Sequence, residues 1–129
     1  MDPTTLGILV FAALALALVV RKVLARRRFA ALQPRIEAVL AAGAPLVDVR
    51  TEAEFASGHL PRARNFPLDG LERNASRIGR KDRPVVLYCA SGARSMAAAR
   101  ILRGMGFQEV LDIGPMAMGE RIEALKGRH

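Results

Sequence analysis

The chain contains no tryptophan, one tyrosine, one cysteine and two histidines. Each scarcity excludes something. A single cysteine cannot build a disulfide framework within the chain, and a free thiolate survives best in a reducing compartment. One cysteine and two histidines, one of them His129 at the C-terminus, offer no ligand spacing, so neither a metal site nor a cofactor is expected. With one aromatic hydroxyl, no indole and no dense basic stripe interleaved with aromatics, the chain does not read as a nucleic-acid binder. Internal repeats are absent, and the only low-complexity tract is apolar. Charge is missing altogether from Thr4 to Val20.

That uncharged stretch, with LGILVFAALALALVV at its core, is the first feature present. Its 17 residues span roughly 26 Å as a helix, slightly short of the ~30 Å hydrocarbon core. Arg21 and Lys22 can snorkel while Val23, Leu24 and Ala25 extend the apolar surface. A cleavable signal peptide carries its positive charge before the apolar run. Here Asp2 precedes it, and Arg21, Lys22, Arg26, Arg27 and Arg28 follow. That order suits an uncleaved single-pass anchor, in contact with lipid over residues 4–25. The basic flank is expected on the cytoplasmic side of the inner (plasma) membrane, and the rest of the chain with it. A soluble core helix would need a polar face, which this run lacks.

The formal net charge is +8. Half of it comes from the basic flank, because residues 29–129 hold 15 Lys/Arg against 11 Asp/Glu. The Arg26–Arg28 cluster can meet anionic headgroups. The remaining arginines read as a solvated face with mild attraction for anions. The organisation expected is an anchor with its basic flank over 1–28, a connector over 29–33, and one domain over 34–129.

Within the domain, short apolar strands alternate with helical patterns. Pro34 suits the first turn of a helix and Gly43 its end, with Ile36, Val39 and Leu40 at helical spacing between them. Leu46–Val49 reads as a strand. Thr51 can cap a short helix carrying Glu52 and Glu54. A small strand is expected near Asn65–Phe66, a helix over Leu68–Ile78, and a polar turn at RKDRP. Val85–Cys89 is a buried strand. Ala98, Ile101, Leu102 and Met105 give the apolar face of a helix starting near Ser95. A short strand at Val110–Leu111 and a last helix on Met118, Ile122 and Leu125, closed by Gly127, complete the pattern. It argues an α/β domain with a small parallel sheet covered on both faces.

Cys89 is the chemical focus. It ends a buried strand and is followed by Ala90-Ser91-Gly92-Ala93-Arg94-Ser95 and a helix N-terminus. Inward-turned amides and the helix dipole make such a loop an anion site, and the same field lowers a thiol pKa. Gly92 gives the loop conformational freedom, and Arg94 adds a fixed cation.

These residues resemble the active-site loop of the rhodanese family. Cys89 to Ser95 matches its Cys-x-x-Gly-x-Arg-Ser signature at each defined position. Leu46-Val47-Asp48-Val49-Arg50 resembles the family's first core strand with its Asp-x-Arg. Glu54-Phe55 and Gly58-His59-Leu60-Pro61-Arg62-Ala63 resemble its Glu-Phe and Gly-His-Ile-Pro-Gly-Ala segments, and Asn65 and Pro67 also fall in place. The resemblance runs in order over about residues 34–126. It implies a single-domain, rhodanese-like fold preceded here by a transmembrane helix, and a sulfurtransferase in which Cys89 is catalytic and carries sulfane sulfur as a persulfide. The donor would be thiosulfate or another small anionic persulfide donor; the acceptor would be a thiol, cyanide or a protein.

In that cycle the amides and side chains of Ala90, Ser91, Gly92, Ala93 and Ser95 would hold the anionic donor, together with Arg94. Arg94 has two roles open to it, as a clamp on the donor or as a brace of the loop. Ser95 can bond within the loop or simply begin the helix. The family His matching His59 is structural, and Asp48 with Arg50 reads as a polar brace at the strand end, paired with Glu54. Near its end the chain departs from the family, which often shows a Gly-Gly pair and a Trp where Gly114-Pro115-Met116-Ala117-Met118-Gly119 stands here. Met116 and Met118 can serve the core or an apolar rim. Two rivals stand beside this reading. A phosphatase or arsenate reductase of the related fold needs five residues between Cys and Arg, and this loop has four. A membrane-tethered binding module without turnover has no use for a thiolate cradle.

Overall fold

The computed structural model describes residues 1–126. The chain divides into two compact units, Met1–Leu32 and a second from Gln33 onward. The first is built from helix α1, Pro3–Ala41, the one helix among the described residues long and apolar enough to cross a membrane. None of its apolar window is buried against protein. Residues 29–33, read from the sequence as a connector, lie inside this helix, and Pro34 neither starts nor ends it. Proline already holds a helical φ, so the helix passes through it with the loss of one intrahelical hydrogen bond.

In the second unit, the last turns of α1 bury Ile36, Val39 and Leu40. Gly43, at φ 97°, ends the helix. The Gly43 and Ala44 amides donate back to the Leu40 and Val39 carbonyls. There follow β1 (Leu46–Asp48), α2 (Glu52–Ala56), β2 (Arg64–Asn65) and α3 (Leu71–Asn74). Then come β3 (Val85–Cys89), α4 (Ala93–Gly104), β4 (Val110–Pro115) and α5 (Met116–Gly119). The four strands form one parallel sheet in the order β2-β1-β3-β4. β1 and β3 are buried at every residue, as parallel strands covered on both faces must be. Val47, Leu87 and Cys89 share a core with Ala98, Ala99 and Leu102 of α4.

The structure corrects several local expectations. The helix expected over Leu68–Ile78 is the short α3 followed by a 3-10 turn at Ala75–Arg77. α4 begins at Ala93, two residues before Ser95. β4 runs six residues rather than two, through Gly114 and Pro115. Ile113 is the extra residue of a bulge opposite Leu87–Tyr88, and the Gly114 amide donates to Asp112 Oδ1 at 2.8 Å. The last helix is divided into α5 and a 3-10 turn at Glu123–Leu125. Gly119 is a poor helix former; Ile122, between the two pieces, and Leu125, in the second, are still buried. Gly127, expected to close that helix, lies outside the described residues, as does His129.

Candidate active site

β3 delivers Cys89 to the C-terminal edge of the sheet, where Asp48 of β1 also ends. Asp48 is fully buried and takes Arg50 in a buried ion pair, with Arg50 Nη2 2.7 Å from Oδ2. The same nitrogen donates to the Gly58 carbonyl at 2.6 Å. Asn65 donates to the carbonyls of Asp48 and Arg50. The Leu60 amide donates to the Tyr88 hydroxyl at 3.0 Å. Burial, with Asp48 alongside, pushes the Tyr88 pKa up and keeps it a neutral acceptor there. This network ties the irregular 58–65 stretch to the strand that carries Cys89. Glu54 is not part of it, contrary to the sequence expectation.

Cys89 has no exposed surface. Its sulfur lies 3.5 Å from the Ser95 hydroxyl, to which the thiol donates. The Gly92 amide donates to the sulfur at 2.9 Å. Burial works to raise the thiol pKa. The Ser95 hydroxyl and the amides of Ser95, Gly92 and Ser91 outweigh it, and the net shift is downward. Because α4 starts at Ala93, Arg94 and Ser95 sit in its first turn, where amides have no partner within the helix. Gly92 is the residue before it, at φ 103°. That left-handed backbone turns its amide onto the sulfur. Ala90, Ser91 and Ala93 stand at the exposed surface of the loop.

Arg94 is half-buried, and both its terminal nitrogens are engaged. Nη1 and Nη2 donate to the two carboxylate oxygens of Glu54 at 2.6 and 2.9 Å. Glu54 is held in turn by the capping box of α2, in which Thr51 Oγ1 accepts from the Glu54 amide. The Arg94 contact, with the Thr51 bonds adding to it, holds the Glu54 carboxyl down to about 2. The geometry is that of a loop brace. The Glu54 partner is what sequence reasoning missed, since its capping role accounted for it locally. His59 stacks on Phe55 at 3.8 Å between ring centroids, and its Nδ1 lies 3.0 Å from the Phe55 carbonyl oxygen. It belongs to the turn. Among the described residues no group of His, Cys, Asp and Glu is arranged to hold a metal. A second unforeseen residue is Asp112. Burial raises its carboxyl pKa, and the Ser95 hydroxyl and the Gly114 amide act against that rise. A charged residue inside the apolar run Val110-Leu111-Asp112-Ile113 is its only sequence signal.

The chain is similar to known proteins. The family model of the rhodanese-like domain matches residues 31–114. A sulfurtransferase of Allochromatium vinosum is 46% identical over 68 residues, covering 53% of this chain and 63% of that protein. The uncharacterized protein YqhL of Bacillus subtilis is 42% identical over 85 residues, covering 64% of this chain and 67% of its own. The chain thus spans about two thirds of the length of these two relatives. Among solved structures, the human single-domain sulfurtransferase TSTD1 superposes with a TM-score of 0.55 at 28% identity, covering 61% of this chain and 82% of that one. An Escherichia coli rhodanese with anions gives 0.54 at 31% identity, covering 59% and 91%. The chain belongs to the rhodanese-like family, and it is a sulfurtransferase built on a single such domain.

Proposed function

We propose that Cys89 carries sulfane sulfur as a persulfide between thiosulfate, or another persulfide donor, and a thiol or cyanide acceptor. The observation that carries this reading is the fully buried Cys89 sulfur at the N-terminus of α4, accepting from the Gly92 amide at 2.9 Å, and the loop contacts lower the thiol pKa against burial. Thiolate attacks the outer sulfur of thiosulfate, the S–S bond of the donor breaks, and sulfite leaves with the bonding pair. The acceptor thiolate then attacks the outer sulfur of the persulfide, and Cys89 departs as thiolate. Negative charge faces the same donors in both steps, so a fixed cradle serves each without rearrangement. Ala90, Ser91, Gly92, Ala93 and Ser95 line it. Arg94, held by Glu54, keeps the loop in shape and adds positive field. Mass spectrometry after thiosulfate exposure tests this directly. One added sulfur on the wild type and none on Cys89→Ser is the expected result; an unmodified, folded wild type sinks it.

The apolar span of α1 serves in this reading as a single-pass membrane anchor over residues 4–25, followed by the domain on the cytoplasmic side. The five basic residues over 21–28 support that orientation. A C-terminal reporter that works only in the cytoplasm should be active, and one that works only outside it should be silent. The reverse result overturns the orientation.

A further inference from the structure

β4 ends against the loop of the nucleophile. Pro115 pairs in register with Cys89, and a Cβ added to Gly92 would stand 3.6 Å from Pro115 Cδ. α5 starts at the next residue and packs on β3 and β4. Its last residue, Gly119, is buried and lies on Leu60, which is buried as well. The Leu60 amide is bonded to the hydroxyl of Tyr88, the residue before Cys89. One helical turn thus runs from the Cys89 loop to the Leu60 turn, across the end of β3. Gly119 is a glycine for want of space. Its backbone is helical, outside the left-handed region that Gly92 and Gly114 occupy, so alanine would serve the helix better. An added Cβ, however, would overlap Leu60 Cδ1 and stand 3.5 Å from Cδ2 and Cγ. Leu60 has little freedom to yield. Its side chain is enclosed, its amide is held, and Arg50 holds the Gly58 carbonyl two residues earlier at 2.6 Å. α5 has more freedom, being one turn long with Ala117 exposed and Met116 and Met118 half-buried.

We propose that α5 is a wall of the entrance to Cys89 and limits the size of the sulfur donors and acceptors admitted. Gly119 is the positioning residue that lets α5 close down on Leu60, and Met116 is the side chain at its loop end. The proposal rests on Cys89 as the nucleophile of the function above. Small anions and small unbranched thiols pass the wall. Bulky aromatic thiols and disulfides are slowed by it, because a side chain pinned between the loop and Leu60 cannot swing aside for them.

Cys89 is the one cysteine of the chain, so thiol reagents read it alone. Iodoacetamide serves as the small probe and dithiobis-nitrobenzoate as the bulky one, on the whole chain in detergent; neither needs sulfur transfer. The ratio of their two rates cancels the thiolate fraction. In Gly119→Ala the bulky-to-small ratio should rise at least about fivefold, which is about 1 kcal/mol in relative barriers. Leu60→Val removes one carbon as Gly119→Ala adds one, so the two together should return the ratio to the wild-type value. Met116→Ala leaves the Leu60 contact alone and should raise the ratio in the same sense. A folded Gly119→Ala with the wild-type ratio overturns the proposal. So does a raised ratio that Leu60→Val leaves in place, which would mean that Gly119 does not act through Leu60. An unmoved ratio in Met116→Ala overturns it too, whether or not Gly119→Ala folds. A wild type that takes no sulfur from thiosulfate while the variants show these shifts would sink the persulfide reading and leave the wall supported.

Discussion

Arg94 and Glu54 meet in a two-point ion pair, 2.6 and 2.9 Å, across 40 residues of chain. One belongs to the loop around the nucleophile and the other to a helix cap on the neighbouring strand's exit. A lysine at 94 would keep the charge and lose the fork. Arg94→Lys is therefore expected to slow transfer from thiosulfate and from an uncharged persulfide donor alike, with a lower Tm. Glu54→Gln should do the same, and the double variant should be no worse than either single one. Loss confined to thiosulfate, through KM alone, would instead mark Arg94 as a donor clamp.

The same pair has a pH signature. Glu54 titrates at about 2 in the folded protein, against roughly 4.3 for an unfolded glutamate. A depressed carboxyl contributes stability that is complete above the unfolded value and is lost as pH falls toward the folded one. The Tm difference between wild type and Glu54→Gln should be constant near neutrality and shrink between about pH 4 and pH 2. A difference that persists unchanged at pH 2 contradicts the assignment.

Gly92→Ala separates space from backbone. An added Cβ would stand 3.6 Å from Pro115 Cδ and 3.7 Å from Gly114 Cα, ordinary contacts. The strain comes from φ 103°, which costs an L-residue about 1–2 kcal/mol. Urea unfolding should show a loss of that size. If the loop relaxes to relieve it, the Gly92 amide leaves the sulfur and the thiolate midpoint rises.

Arg62 stands where the resembled motif has glycine, and it keeps the left-handed backbone at φ 69°. Its guanidinium donates to the Leu40 carbonyl at 3.0 Å, at the end of α1. Arg62→Ala keeps the strain and loses this bond, so stability should drop by about 0.5–1.5 kcal/mol. Arg62→Gly loses the bond and sheds strain of about the same size, so it should lie near the wild type. Alanine as stable as arginine would show that the bond contributes nothing.

What the sequence shows and what it hides follow from range. The loop at Cys89 is legible because seven consecutive residues hold the nucleophile, the left-handed glycine and the first helical turn. The Arg94–Glu54 pair is hidden because each residue has a sufficient local reason to be where it is. Asp112 is hidden because its place on the face that α4 covers follows from the pairing of β4 with β3. At Gly114-Pro115, turn-forming residues suggest that β4 has ended, whereas the bulge carries the strand through them. Apolar spacing at Met118, Ile122 and Leu125 fixes which side is buried but does not distinguish one helix from two short turns.

The enclosure of Cys89 also bears on what the protein must avoid. A low-pKa thiolate is the form that oxidants attack, and a persulfide is more easily oxidised still. With no sulfur surface presented, a reagent must fit down among the amides of the loop before it can react. Under the proposed function, such an enclosure favours small sulfur anions and cyanide over large disulfides. Shelter and selectivity are thus one property of the loop, and widening it to hasten turnover would shorten the life of the sulfur it holds.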